Sequence, residues 1–189
     1  MPHSFFATMF SDAVKGLQTR FGSRSQYERL TNSGMGEQEL GIYEAEFIAA
    51  RDSFYMATVT PDGWPYVQHR GGPAGFLKVL DERTLAFADY SGNKQYISTG
   101  NLIGNDRFAL FLMDYPNRTR LKLIGNAKAV NPEEDPELTR LVAPADRRTR
   151  IERIFVLNLI GFDWNCTQHI TPRYTLEEAR KILGVSPQA

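Results

Sequence analysis

Between Phe54 and Trp164 the chain is written as short β-rich runs separated by turn-length gaps, and this spacing restricts its fold more than anything else in it. Phe54–Thr60 (FYMATVT) is followed by the turn residues Pro61-Asp62-Gly63 and a second extended run from Trp64 to His69. Gaps this short join antiparallel neighbours, because a parallel connection needs a crossover of a dozen residues or more. Gly75–Leu80 and Leu85–Asp89 pair around Asp81-Glu82-Arg83. Arg107–Asp114 and Arg120–Val130 flank Tyr115-Pro116-Asn117, and Arg153–Trp164 reads as a last long strand. About six strands in this arrangement predict one antiparallel sheet. Closure into a barrel would remove its exposed edges, so an antiparallel barrel is the expected form.

Helical spacing occupies the remainder. Ser11 can cap a helix with Val14, Leu17 and Phe21 on one face. Leu40, Tyr43, Phe47 and Ile48 repeat the pattern after Gly34 and Gly36. A helix is expected from Lys94 to Ile103, ended by Gly104, and another over Thr175–Leu183, with a short one among Pro132, Pro136 and Pro144. The expected class is therefore α+β, with residues 1–36 a helical extension and 37–189 the main domain. A chain of 189 residues can bury a full core without disulfides or metals.

Composition narrows the partners. Lys plus Arg and Asp plus Glu are both 22, so the basic surplus of a nucleic-acid binder is missing. Cys166 stands alone, which suits a reducing compartment and excludes an internal disulfide framework. The N-terminal stretch has no basic leader, and no apolar run approaches the roughly 20 residues of a membrane helix. A cytoplasmic protein with no membrane partner is expected. A metal site is not, since Cys166, His169, His3 and His69 form no second paired cluster.

Three segments carry candidate chemistry. In Gln68–Val79, Arg70 ends a strand and meets Gly71-Gly72-Pro73. Glycines let backbone approach a ligand, and Arg70 offers a planar fork suited to phosphate, with Lys78 adding a point charge. Alone, such a segment is more often a wide turn with solvated cations. In Ala88–Tyr96, Ser91, Gly92, Asn93 and Lys94 fall where a strand passes into a helix. Amides at a helix N-terminus favour an anion, and Lys94 in the first turn makes sense if it faces one. The plain alternative is a Ser/Asn cap with a lysine in solvent. In Asp163–Thr175, Trp164 could stack on a flat ring while Asn165, Gln168, His169 and Arg173 supply polar contacts, or the loop could simply pack on its tryptophan.

In the order ATVTPDGWPYVQHRGGPAGFLKV, TLAFADYSGNKQY, NDRFALFLMD, LKLIGNAKAV and DWNCTQHITPR, these segments resemble the pyridoxamine-phosphate oxidase family of FMN-binding split barrels, from about Phe47 to Tyr174. The resemblance implies a six-stranded antiparallel split β-barrel with flanking helices, and a homodimer with two FMN sites at the subunit interface. By the same resemblance, Arg70 matches the family's first phosphate-region arginine, Lys78 its strand lysine and Asp89 a residue lining the flavin. Asn93 and Lys94 fall on an Arg-Lys pair at the phosphate, with the arginine replaced. Arg120 falls where a glutamine reaches in from the partner subunit, and Trp164 and Arg173 approximate a tail tryptophan and arginine. His69, Gly71, Gly72, Ser91, Gln168 and His169 complete the candidate cofactor-binding set. The family's Arg-x-His-Asp-Arg substrate tail is absent, NCTQHITPR standing in its place, which argues against vitamin-substrate oxidation and leaves an unidentified small molecule as the expected substrate. The implied activity is FMN-dependent oxidation or reduction, with NAD(P)H as a candidate reductant. No residue is assigned as catalytic. The alternative is a flavin-binding storage or sensor module without turnover.

Overall fold

The computed structural model describes residues 4–32, 39–144, 150–164 and 168–184. In chain order the elements are α1 (Phe5–Met9), α2 (Asp12–Arg20), α3 (Arg24–Asn32), α4 (Ile42–Ala49), β1 (Ser53–Val59), β2 (Pro65–Gly71), β3 (Lys78–Val79), β4 (Thr84–Tyr90), α5 (Ile97–Gly104), β5 (Arg107–Asp114), β6 (Thr119–Val130), α6 (Pro136–Val142), β7 (Ile151–Trp164) and α7 (Leu176–Leu183). Three helices occupy the N-terminal stretch, while the expected division at residue 36 lies outside the described residues.

All the strands join one antiparallel sheet of seven, in the order β2-β1-β5-β6-β7-β4-β3. The α+β class and the antiparallel pairing follow the sequence pattern. The expected closure does not occur: the six-stranded split barrel is replaced by an open sheet whose edges are β2 and β3. The reason lies in residues 71 to 77. The Gly72 and Gly75 amides donate to Asp52 O (2.9 Å) and Arg51 O (3.0 Å), which turns the chain back over the start of β1. Gly75 sits at φ +74°, where a side chain would be strained. The run expected over Gly75–Leu80 is thereby cut to two paired residues, too few to continue the ladder around.

The core forms on one face of the sheet. In β1 the buried residues are Phe54, Met56 and Thr58, and in β5 they are Phe108, Leu110, Leu112 and Asp114, the period of two that places alternate residues on one face. Leu85 and Phe87 of β4, Leu121 and Leu123 of β6, and Phe155 and Leu157 of β7 complete it at 0–1% exposure. Each such side chain is worth about 1.5–3 kcal/mol in burial. On the other face Ala86, Ala88 and Ile154 lie under Val142 of α6. α5 is fastened to β1 by a buried Asn101 Nδ2 to Thr58 Oγ1 hydrogen bond of 2.9 Å.

β6 and β7 change register between Ile124 and Gly125. A Cβ at Gly125 would lie 2.0 Å from Asn158 O and 2.9 Å from Phe108 Cε1, so only glycine lets the backbones meet there. Gly125→Ala is expected to cost about 1–3 kcal/mol, the range for forcing a group into a packed interior, read as a lower midpoint of chemical unfolding at constant slope.

Candidate functional site

Although no backbone ladder among the described residues joins β2 to β4, side chains link them. Tyr66, Gln68 and Arg70 alternate along β2 and line a pocket of about 200 Å³ with Asp89 of β4, Arg153 of β7, and the loop and first turn of α5. Arg70 Nη1 reaches Asp89 Oδ1 at 2.5 Å, and Asp89 Oδ2 accepts from Arg153 Nη1 at 3.0 Å. Arg153 is further fixed by Thr99 Oγ1 (3.0 Å) and Glu152 Oε2 (2.9 Å), and its guanidinium lies 4.7 Å from the centre of the Tyr96 ring. The side chains of Arg70 and Asp89 are each only 12% exposed.

Arg70 stands over the rings of Phe155 and Phe87, at 5.3 and 5.8 Å, and its Nε is buried without a hydrogen-bond partner. Burial lowers its pKa below the ordinary arginine value, and the Asp89 carboxylate opposes that shift. A buried guanidinium whose donors are incompletely used has donor capacity to spare.

The loop before α5 is shaped by its backbone. Lys94 and Tyr96 take positive φ (58° and 55°), which delays the helix expected from Lys94 until Ile97. Asn93 Oδ1 folds back to accept from Gln95 N at 3.2 Å. Tyr96 gives α5 no side-chain cap, and Ile97, Ser98 and Thr99 of its first turn line the pocket. Ser98 Oγ donates to Gln68 Oε1 at 3.0 Å, tying helix to strand. Lys94 stands exposed on the lining. Three cations, Arg70, Lys94 and Arg153, meet two carboxylates, Asp89 and Glu152, leaving one positive charge in excess.

Of the residues singled out in the sequence, Arg70, Asp89, Asn93 and Lys94 come together here, with Gly92 beside them. Ser91 adjoins the pocket, but its amide donates to Arg150 O at 3.0 Å. The Gly72 amide is likewise taken by Asp52, and the glycine itself is required because a Cβ would lie 2.7 Å from Phe76 Cγ. Gly71 ends β2, and His69 meets Tyr55 edge-on at 5.6 Å. Lys78 is held opposite Ala86 and does not line this pocket.

The remaining candidates lie elsewhere in the chain. Arg120 of β6 covers the Phe111 ring at 5.9 Å and keeps a buried Nε without a partner. Trp164 donates from Nε1 to Glu44 Oε1 at 2.9 Å and packs between Tyr43 and Phe47, at 5.2 and 4.8 Å. Arg173 stands 4.9 Å from the Tyr115 ring in a separate hollow of about 400 Å³ with Arg51, Asp52 and Asp114. Gln168 and His169 are exposed, His169 at φ 62°. Asn165 and Cys166 lie outside the described residues. Among the described residues no cluster of His, Cys, Asp or Glu could hold a metal, and no helix is long and apolar enough to cross a membrane.

Arg153, Glu152, Gln68, Thr99 and Tyr96 were not singled out from the sequence. Arg153 is the direct register partner of Asp89, a cross-strand charge pair visible only once β4 is known to pair with β7.

Comparison with solved structures places the architecture. HupZ from Group A Streptococcus superposes with a TM-score of 0.54 at 12% identity, over 71% of this chain and all (100%) of that one. A candidate pyridoxamine 5'-phosphate oxidase from Lactobacillus delbrueckii superposes with a TM-score of 0.51 at 21% identity, over 68% and 97%. At these identities the likeness is one of fold. No curated protein matches the chain. The family model for pyridoxamine 5'-phosphate oxidase matches residues 44–156, more than half the chain and the stretch that holds Arg70, Asp89, Lys94 and Arg153. The chain therefore belongs to the pyridoxamine 5'-phosphate oxidase family.

Proposed function

We propose that the protein binds FMN, with the phosphate in the Arg70–Asp89–Arg153 pocket, and acts as an FMN-dependent oxidoreductase on a small organic substrate with NAD(P)H as reductant. The observation that carries this reading is the bridge itself: two anchored guanidiniums and Lys94 converge in one small pocket with an excess of positive charge. A phosphate dianion fits that donor set, since charge-assisted hydrogen bonds to ionised groups are the strong ones. The spare donor capacity of Arg70 and the uncapped N-terminus of α5 suit the same anion.

When bound, FMN supplies hydride and electron chemistry that side chains lack. The chain's own residues bind and orient. Asp89 and Thr99 hold the two guanidiniums in place, and Lys94, on an exposed loop, would add a third cation to the anion. About 200 Å³ is below the roughly 300–1,000 Å³ of a typical whole-ligand site, so this pocket would hold the phosphate end of FMN and not the whole molecule. A second copy of the chain completes the slot in this reading, with Arg120 and Arg173 of opposite subunits as its outer cations, which makes the working form a homodimer.

Lys94→Ala is expected to weaken FMN binding by about 1.5–3 kcal/mol, the worth of a hydrogen bond to a charged group, with no change in melting temperature. Riboflavin, which lacks the phosphate, should bind the variant and the parent equally. FMN affinity unchanged in Lys94→Ala would place the phosphate elsewhere. A storage or sensor module is the second reading, favoured by one observation: Asp89 and Glu152 are both held in ion pairs with Arg153, so neither stands ready as an acid or base. Anaerobic mixing of the flavin-loaded protein with NADH or NADPH separates the two, since only the oxidoreductase is bleached within turnover times.

A further inference from the structure

A spacious cavity lies away from the polar pocket and shares none of its lining. It measures about 990 Å³ and runs between α1–α3 and the face of the sheet opposite the core. Phe6, Phe10 and Tyr27 form its roof, and Tyr55, Phe111 and Trp164 part of its floor. The family match begins at residue 44, so the helices of the roof lie outside the matched stretch.

The roof is fixed in place. Ser4, itself buried, caps α1 through Ala7 N, and Phe5 is 7% exposed. Gly161 permits this contact, since a Cβ there would lie 2.4 Å from Phe5 N. Lys122 Nζ sits 5.0 Å from the centre of the Phe5 ring. Phe6 stacks on Phe10 at 5.1 Å, and Phe10 meets Tyr27 edge-on at 5.4 Å. The hollow persists below because small residues face each other in the floor, Ala57 of β1 opposite Ala109 of β5. Two apolar layers held apart in this way leave a hollow that opens to solvent at Met9, Tyr55 and Val67 and falls within the size range of small-molecule sites.

The polar groups on the lining select its chemistry. Gln18 accepts from Arg24 at 3.0 Å. Lys122 and Asp163 form an ion pair of 2.7 Å across β6 and β7. Paired, they carry no net charge, yet the ammonium keeps further donors and the carboxylate further acceptor sites. An anionic ligand would have to shed water beside Asp163, and a cationic one beside Lys122.

We propose that this cavity binds an uncharged amphipathic molecule, an apolar ring or chain whose hydroxyl or carbonyl end meets the Lys122–Asp163 pair. The proposal stands apart from FMN binding and would survive its failure.

The probe is 4-(hydroxymethyl)benzophenone, an uncharged diaryl ketone with a hydroxyl end, photo-crosslinked to the full chain and mapped by mass spectrometry. Saturable labelling is expected within α1–α3, with Met9 the favoured acceptor. Decan-1-ol should displace the probe at concentrations about tenfold below those needed for decanoate, a difference of about 1.4 kcal/mol. Ala109→Phe, which fills the floor, should reduce labelling about tenfold while FMN affinity stays at the parent value. Should that variant fold poorly, Ala57→Leu asks the same with less added bulk, and the labelled position in the parent protein decides independently. Non-saturable or scattered labelling overturns the proposal, as does equal displacement by decanoate. It is also overturned if sedimentation shows a dimer that excludes the probe and that Ala109→Phe dissociates, since the occupant is then a second copy of the chain.

Discussion

Arg70→Ala is expected to lower the melting temperature and the flavin affinity together, with the larger loss in stability. Arg70 and Asp89 are 12% exposed, and the pair spans the gap between β2 and β4 that no backbone ladder closes. Removing one partner of a buried ion pair typically costs about 3–5 kcal/mol, because the other charge is left out of water without its counterion. Arg153 still holds Asp89 Oδ2, which places the expected loss near the lower end, about 3 kcal/mol. For a domain of this size that is a drop of roughly 6–12 °C. Flavin affinity should fall by a further about 1.5–3 kcal/mol if Arg70 also meets the phosphate. The double variant Arg70→Met with Asp89→Leu removes both charges of the pair while Arg153 keeps Glu152 and Thr99, so stability should recover in part while flavin affinity does not. A melting curve unchanged in Arg70→Ala would mean that the bridge contributes nothing to holding the edges together.

Phe155→Ala should be the most damaging single truncation next to the pocket. The side chain is fully buried and stacks on Phe87 at 5.1 Å with 24° between planes, and the guanidinium of Arg70 lies 5.3 Å from its ring centre, beside both rings. Truncating a buried Phe to Ala costs about 3–5 kcal/mol in lost transfer energy and residual cavity. Phe155→Leu restores most of the volume but not the aromatic face, so it should recover most of the stability and still loosen Arg70, by about 0.5–2 kcal/mol of cation–π attraction. Unfolding midpoints in guanidinium and FMN titrations on the same preparations test both steps. Equal flavin affinity in Phe155→Leu and the parent would show that the ring supports the core alone.

What was legible in the sequence follows the range of the interactions. Strand positions and antiparallel pairing were readable because alternation and turn chemistry act over a few residues, as in Phe54–Thr60 with its Pro61-Asp62-Gly63 turn. The shortness of β3 was not, because it depends on the Gly72 and Gly75 amides finding carbonyls of Asp52 and Arg51 some twenty residues away. Arg70, Asp89 and Lys94 could be marked as residues of the right chemistry, whereas Arg153 enters only through pairing across a long stretch of chain. Trp164 shows the opposite error of a local reading. Its ring is offered by the sequence as a free flat surface, yet Glu44, Tyr43 and Phe47 of α4 already engage it.

The gap between β2 and β4 also sets how a ligand would be felt by the rest of the molecule. Main-chain ladders hold the neighbouring strands of the sheet, whereas among the described residues side chains fasten β2 to β4. An anion seated among Arg70, Arg153 and Lys94 would act as mortar in that seam, and its arrival should slow amide hydrogen exchange in β2 more than in β6 or β7. Occupancy and the stiffness of the edge strands are then one physical event measured in two ways.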